Sequence, residues 1–148
     1  MALPTRTAID EHASEDDMRA IRKGVSVFGD LFTVPRNWRA VNLVLRTGDG
    51  DGRVIGGLLG STVWDWLQID TLWIDEAERG RGHGRALMAR AEQIARERGC
   101  PNARVDTFDF EARGFYEKLG YRVYGELAGF PRGHSHLHLA KRLDTPDA

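Results

Sequence analysis

Apolar and polar residues alternate with a period of two along three stretches in the first half of the chain, WRAVNLVLRT, RVIGGLLGSTVW and WLQIDTLWID. Such alternation is typical of β-strands with one buried face. The segment GDGDG (48–52) between the first two stretches is a strong hairpin turn signal. We therefore predict an antiparallel three-stranded meander. In its third strand, alternation places Leu67, Ile69, Thr71 and Trp73 on one face and Gln68, Asp70, Leu72 and Ile74 on the other.

Two other stretches follow the period of a helix. SEDDMRAIRKGVSVF begins with Ser14, which can cap a helix, and with three acids that suit the positive end of the helix dipole. Beyond ERGRGHGR, an apolar face with helical spacing is formed by Leu87, Ala91, Ile94 and Ala95. Glu92 and Arg96 are spaced as a favourable ion pair, which we expect on the solvent side of this helix. Gly99 and Pro101 end the helix.

The second half of the chain alternates between strand and helix patterns. Strands are predicted for the segments ARVDTF, YRVYGEL and HSHLHLAKRL. A short helix that ends at Gly120 is predicted for EARGFYEKLG. The predicted order is therefore three antiparallel strands, then helix, strand, helix, strand, strand. This order predicts an α/β fold in which a mixed, mostly antiparallel central sheet is flanked by helices, in a single domain spanning 1–148.

Composition narrows the class of protein. A chain of 148 residues can bury a core, and a net charge of −1 excludes a general attraction to nucleic acid or an anionic membrane. The single cysteine, Cys100, excludes an internal disulfide, suits a reducing compartment and is expected to be a buried packing residue. The N-terminus has no apolar signal core, and no segment approaches the roughly 20 apolar residues of a membrane span. We therefore expect a cytoplasmic protein that binds neither nucleic acid nor membrane.

The stretch ERGRGHGR (78–85) joins the third strand to the next helix and carries the strongest chemical signal. A helix N-terminus presents unpaired N–H groups and partial positive charge, and glycines before it let an anion approach closely. Arg81, Arg85 and, when protonated, His83 add positive charge. The stretch therefore predicts an anion-binding site.

Two common phosphate-binding motifs do not match this stretch. A P-loop needs Lys and then Ser or Thr after its second glycine, whereas Gly84 is followed by Arg85 and Ala86. A dinucleotide fingerprint needs G-x-G-x-x-G at the start of the fold, whereas the spacing here is G-x-G-x-G and a hairpin meander precedes it.

A third pattern does match. The strand that ends in LWID is followed by the pattern Arg79-x-x-Gly82-x-Gly84. One helix and one strand later comes the segment FEARGFYEKLGYRVYGEL (110–127). Together these segments resemble the acyl-coenzyme A motifs of the GNAT superfamily of N-acetyltransferases, with coenzyme-binding motifs at 72–99 and 104–121. The resemblance implies a GNAT-like sheet and acetyl-CoA as co-substrate, with no metal.

The resemblance also implies roles for individual residues. The strand before the loop separates from its neighbour, its backbone pairs with the pantetheine arm, and the glycine loop holds the pyrophosphate. The coenzyme-binding residues so implied are Leu72, Trp73, Ile74, Arg79, Gly80, Arg81, Gly82, His83, Gly84, Arg85, Phe115 and Lys118. Many members carry an Asn near the end of the strand that follows the first helix. Here the strand ends in DTFDFEA, and the backbone or Thr107 and Asp109 could take the place of the Asn.

Two residues are candidates for proton transfer. Tyr116 in FYEKLG corresponds to the family tyrosine that protonates the departing thiolate, although it could also be a core aromatic. Asp70, on the third strand, is the candidate base for the acceptor amine, with capping or pairing to an arginine as the alternative. His134, His136 and His138 alternate on one strand, which favours a polar face beside the acceptor cleft over a metal site.

The sequence as a whole predicts an acetyl-CoA-dependent N-acetyltransferase. Direct transfer through a ternary complex is expected, because no second cysteine or serine elbow suggests a covalent enzyme intermediate. The predicted acceptor is a primary amine on a small molecule. The alternative acceptor for an enzyme is a protein N-terminus or lysine. The non-enzymatic alternative is a sensor that binds acyl-CoA without catalysis. A homodimer, formed through the C-terminal strands or the meander with its WDW segment, is also expected.

Overall fold

The computed structural model describes residues 6–144. Its elements are α1 (Glu15–Asp30), β1 (Arg39–Arg46), β2 (Val54–Val63), β3 (Trp66–Ile74), a 3₁₀ turn (Glu76–Glu78), α2 (His83–Glu97), β4 (Asn102–Phe108), α3 (Arg113–Lys118), β5 (Arg122–Ala128) and β6 (Ser135–Arg142). Each helix and strand predicted from the sequence is present.

The chain divides into two compact units, Met1–Arg36 and Asn37–Ala148, and the assignment of 1–148 to one domain stays a prediction. In the first unit, α1 begins as predicted. The Ser14 hydroxyl accepts a hydrogen bond from the Asp17 amide at 3.1 Å, and the Asp17 carboxylate accepts one from the Ser14 amide at 2.8 Å. This reciprocal capping box fixes where the helix starts.

The second unit contains a six-stranded sheet in the order β1-β2-β3-β4-β6-β5. β3 and β4 are parallel, because α2 carries the chain from one end of the sheet to the other; the remaining neighbours are antiparallel. β6 lies between β4 and β5. The predicted mixed, mostly antiparallel sheet is confirmed.

The core lies between α2 and one face of this sheet. α2 buries Leu87, Met88, Ala91 and Ala95, and its partly buried Ile94 packs against the same core. The apolar face predicted for this helix is therefore confirmed. The sheet residues opposite include Leu58, Leu67, Ile69, Val105, Leu137 and Leu139. Cys100 is buried, as predicted, and burial raises the pKa of its thiol.

A β-bulge interrupts β3 and corrects the predicted faces of this strand. Thr71 pairs with Leu59 and Ile69 pairs with Gly60, so Asp70 is an extra residue without a partner on β2. The alternation changes phase there, and Leu72 and Ile74 join Leu67 and Ile69 on the core side, while Thr71 and Trp73 are exposed. A Cβ at Gly60 would collide with the Gln68 carbonyl oxygen. Glycine is therefore required beside the bulge.

Glu92 corrects a second prediction, because it is only 5% exposed and does not lie on a solvent face. Its carboxylate accepts hydrogen bonds from the Tyr121 hydroxyl at 3.0 Å and from Lys141 Nζ at 3.1 Å. Arg96 instead donates through Nε to the Leu143 carbonyl at 2.9 Å. Instead of the predicted Glu92–Arg96 ion pair, hydrogen bonds join α2 to β6 and to the residues next to β5 and β6.

Tyr121→Phe is expected to lower the free energy of unfolding by about 1.5–3 kcal/mol, because a buried carboxylate loses a hydrogen bond from a matched donor. The control is Tyr124→Phe at a position that is 59% exposed, where a change within about 0.5 kcal/mol is expected. Urea denaturation of both variants measures the difference. Equal stabilities would show that the Tyr121–Glu92 bond contributes nothing.

Candidate active site

A cleft opens where β3 and β4 stop pairing. Residues 66–69 pair with residues 102–105, and no further pair follows. Beyond this point a cleft of about 910 Å³ lies between the two strands, with α3 and the segment before it forming another wall. Within residues 6–144, the β4-facing edge of residues 72–74 therefore has no strand beside it. Apart from the Ile74 carbonyl, which accepts a hydrogen bond from Arg79, the backbone groups on this edge are available to an extended ligand.

Two aspartates stand at the apex of the cleft. Asp70 and Asp106 are the residues that directly follow the last β3–β4 pair, and both line the cleft. Asp70 is exposed and makes no hydrogen bond or ion pair with another described residue. The bulge leaves it there, since an unpaired residue is not held in the ladder. The predicted base is thus at the cleft and solvated.

Three hydrogen bonds fix the loop after β3. Asp75 accepts from Arg53 Nη1 at 2.7 Å and from the Ala77 amide at 3.3 Å, and the bond from Arg53 lowers the pKa of the Asp75 carboxyl. Arg79 Nε donates to the Ile74 carbonyl at 3.0 Å. Arg79 is therefore tied to the end of β3, where it positions the loop.

The glycine loop has the backbone conformation that its sequence suggests. Gly80 and Gly82 have φ of +77° and +83°, in the left-handed region that favours glycine, and a Cβ on either would meet no atom within 4 Å. Gly82 is the N-cap of α2 and provides no side-chain cap. Its carbonyl accepts from the Ala86 amide at 3.0 Å, so residues 83–85 present unpaired amides among the described residues. This is an anion-binding arrangement.

An acid in the loop was missed by the sequence analysis. Glu78 Oε2 lies 3.3 Å from Arg81 Nη1 and 3.8 Å from His83 Nε2. Both basic residues therefore have an internal partner, whereas Arg85 is exposed. The i,i+3 spacing of Glu78 and Arg81 was the available signal. Lys118 is not at the cleft: with Arg85 it lines a separate groove of about 970 Å³.

Tyr116 lies in α3 at the inner wall of the cleft. It is 5% exposed, and its ring packs against Phe115 at 5.1 Å and Tyr121 at 5.9 Å between ring centres. Burial, together with the charge of Glu111, raises the pKa of Tyr116 to about 12. No described residue hydrogen-bonds the Tyr116 hydroxyl, although the residue lines the cleft. Phe115 touches the glycine loop, since a Cβ at Gly84 would lie 3.3 Å from its ring.

Asp109 and Thr107 are already bonded within the protein. Asp109 accepts from the Ser135 amide at 3.0 Å and contacts His134 Nδ1 at 2.9 Å, while Thr107 donates to Glu111 at 3.0 Å. Neither side chain is therefore available to take the place of the family asparagine without breaking an internal bond.

The three histidines do not act as one group. His134 pairs with Asp109, whereas His138 Nδ1 lies 3.0 Å from Asp106 Oδ1 and His136 lines the cleft. Among residues 6–144 no group of three or more His, Cys, Asp or Glu side chains is arranged to hold a metal ion. In the same range, no helix has the length and apolarity needed to cross a membrane.

Known proteins are similar to this chain in sequence. Residues 12–121 match the family model described as "Acetyltransferase (GNAT) family". Blasticidin-S acetyltransferase of Streptomyces morookaense is 45% identical over 93 residues, 62% of this chain and 68% of the relative.

Solved structures agree with this match. The crystal structure of an acetyltransferase from Bacillus cereus has a TM-score of 0.81 and 33% identity, covering 91% of this chain and 97% of its own. A structure from Bacillus anthracis, described as a streptothricin acetyltransferase in complex with acetyl coenzyme A, has a TM-score of 0.59 and 21% identity, over 78% and 67% of the two chains. That more distant likeness shows the fold alone. The chain is therefore an acyltransferase and belongs to the acetyltransferase (GNAT) family.

Proposed function

We propose that the protein is an acetyl-CoA-dependent N-acetyltransferase that transfers the acetyl group directly to a primary amine of a small molecule. The observation that carries this proposal is the cleft between β3 and β4, with unpaired helix N-terminal amides beside it and the Tyr116 hydroxyl in its wall. A fold neighbour that binds acetyl coenzyme A supports the choice of donor.

The coenzyme is proposed to lie along β3 and to end at the glycine loop. The unpaired backbone edge of residues 72–74 suits the amides of the pantetheine arm. The amides of residues 83–85 and the open space above Gly80 and Gly82 suit the pyrophosphate. Arg79 is assigned to positioning the loop, and Phe115 to supporting it from α3. Arg85 and Lys118 would reach the coenzyme only outside the cleft.

Tyr116 is proposed to donate a proton to the coenzyme thiolate as the carbon–sulfur bond breaks. Its hydroxyl has no partner among the described residues, and the raised pKa keeps it protonated at neutral pH. Asp70 is proposed to act at the acceptor amine. Its carboxylate could attract the ammonium by charge, or accept its proton directly or through water.

A small cationic acceptor fits the cleft. Its volume of about 910 Å³ is in the range of small-molecule sites, and Asp70, Asp106 and Glu111 give it negative charge away from the glycine loop. The relative at 45% identity is named for blasticidin S, which makes blasticidin S the first acceptor to test. We further propose a cytoplasmic location and a homodimer; the single cysteine supports the former.

A thiol-release assay with acetyl-CoA tests the function. The panel contains blasticidin S, streptothricin, simple alkylamines, and a peptide with a free N-terminus and a lysine. Turnover with a small amine and none with the peptide is the expected result. Turnover with the peptide alone would identify a protein acetyltransferase. Coenzyme binding without turnover on any amine would identify a sensor.

Gly82→Ala is expected to weaken acetyl-CoA binding at least about tenfold, because a Cβ would occupy the space proposed for the pyrophosphate. Gly99→Ala is the matched control. Gly99 has φ of +78° and equally open surroundings, but it lies at the other end of α2. Both variants carry the same backbone strain, of about 1–2 kcal/mol. Calorimetric titration should separate them, and equal affinities in two folded variants would contradict the pyrophosphate assignment.

Tyr116→Phe is expected to lower kcat roughly 10- to 1000-fold while leaving the Kd for acetyl-CoA nearly unchanged, since the hydroxyl acts only as thiolate charge develops. Because the pKa of Tyr116 is raised to about 12, ionisation of this group should not reduce kcat of the wild type between pH 7 and 10. Tyr124→Phe, at an exposed position outside the cleft, is the control. A wild-type kcat in Tyr116→Phe would assign this residue to packing.

A further inference from the structure

β4 and β6 carry a group of titratable side chains, and the proposed function gives no role to its two histidines. Val105, Thr107, Leu137 and Leu139 are buried on the core side. The intervening positions place Asp106, His136 and His138 on the opposite face, where Asp106 pairs in register with His138 and Phe108 pairs with His136. We refer to Asp106, His136 and His138 as the imidazole cluster.

His136 is the member that reaches the cleft. Its side chain is 15% exposed and is packed against the rings of Phe108 at 4.8 Å, Phe130 at 5.3 Å and His138 at 4.5 Å between centres. Yet within residues 6–144 neither ring nitrogen of His136 makes a hydrogen bond, although the residue lines the cleft. Neither nitrogen is among the fully buried polar atoms that lack a partner, so the ring keeps access to solvent. The ring is thus fixed in place and open to a ligand.

Asp106 lies between the two imidazoles. Its Oδ1 is 3.0 Å from His138 Nδ1, a hydrogen-bond distance, and its Oδ2 is 4.0 Å from His136 Nε2. The second distance is too long for a hydrogen bond but short enough for an ion pair. If His136 gains a proton, the Asp106 carboxylate therefore stabilises the cation in a partly buried site.

We propose that His136 accepts the proton of the acceptor amine, and that Asp106, oriented by His138, is the positioning residue that stabilises the protonated ring. This inference rests on the proposed N-acetyltransferase function. It gives Asp70 the other role considered above, attraction of the ammonium group.

The proton balance of the reaction is complete with these residues. His136 removes one proton from the ammonium, and the freed electron pair on nitrogen forms the bond to the acetyl carbonyl carbon. The carbon–sulfur bond breaks, and the thiolate takes a proton from Tyr116. The second proton on the attacking nitrogen restores Tyr116 through solvent, and His136 releases its own proton to solvent. The products are the amide, the free thiol and one proton.

Base strength favours an imidazole over Asp70. An alkylammonium has a reference pKa of about 10.4, an imidazole about 6.5 and an aspartate about 3.9. Proton transfer is most efficient when the pKa of the base is near the operating pH. Asp70 is exposed and makes no hydrogen bond or ion pair with a described residue, which suits a group that attracts a cation by charge.

Charged and titratable groups face His136 from each neighbouring strand and from the cleft. They are Asp106 on β4, His138 on β6, Tyr124 on β5 beside His138, and, among the residues that line the cleft, Asp70, Arg79, Glu111 and Tyr116. Three of these are carboxylates and one is a guanidinium, so negative charge predominates around the ring.

The test is the pH dependence of kcat with an alkylamine acceptor found active in the panel. In the wild type, kcat should fall towards acid pH and give the pH profile an acid limb, because a protonated ring cannot accept a proton. His136→Gln should lower kcat about 100-fold at pH 7 and remove this limb. Asp106→Asn should lower kcat about tenfold or more. Asp70→Asn should raise KM with kcat and its limb retained.

His12→Gln is the matched control. His12 lies 3.6 Å from Asp10 in an exposed imidazole–carboxylate pair of the N-terminal unit, so its loss should leave both kcat and the limb unchanged. Thermal melting shows whether each variant is folded. Two results would overturn this assignment alone, provided that the wild type turns over. One is an unchanged kcat and acid limb in His136→Gln, and the other is loss of the acid limb in Asp70→Asn. Absence of wild-type turnover with every amine overturns the proposed function, and the assignment with it.

Discussion

Parallel pairing between β3 and β4 stops at Ile69 and Val105, and the candidate site depends on that break. A parallel sheet that continued to pair would bury the backbone edge of residues 72–74 in a ladder. Instead that edge borders a cleft, and the first residue of each strand beyond the break is an aspartate. The bulge at Asp70 lets the strand diverge while Leu72 and Ile74 still pack on the core. The two aspartates and the open backbone edge thus come from the core's own strands, and the glycine loop and the segment before α3 complete the site.

Charge is distributed unevenly along this cleft. The end at α2 has unpaired amides and a partial positive charge, whereas the apex and the α3 side carry Asp70, Asp106 and Glu111. The anionic coenzyme and the cationic acceptor proposed above would be drawn to different ends. Glu78 moderates the positive end by pairing with Arg81 and His83. The two substrates of an N-acetyltransferase can therefore be sorted by charge before any specific contact forms.

Local sequence was sufficient for features that depend on local structure. The strands and helices, the Ser14 cap and the glycine corner follow from periodicity and backbone preferences, and all are present. The errors come from residues whose partners are distant. Glu92 is buried because Tyr121 and Lys141, 29 and 49 residues away, satisfy its carboxylate. The bulge at Asp70 requires knowledge of its pairing with β2, and the Asp106–His138 contact requires the β4–β6 register. The roles of the individual site residues stay predictions.

Gly60 shows how a residue outside the site can control it. It is buried in β2, on the far side of β3 from β4, and it does not line the cleft. Yet the bulge lies against it, and any side chain there would push the Gln68 carbonyl away. A mutational survey scored by activity would rank this glycine with residues that touch substrate. Random libraries that aim to change acceptor specificity should therefore leave Gly60 fixed and vary the walls of the cleft. The reason is that β3 and β4 can hold a new pocket only while their separation is preserved.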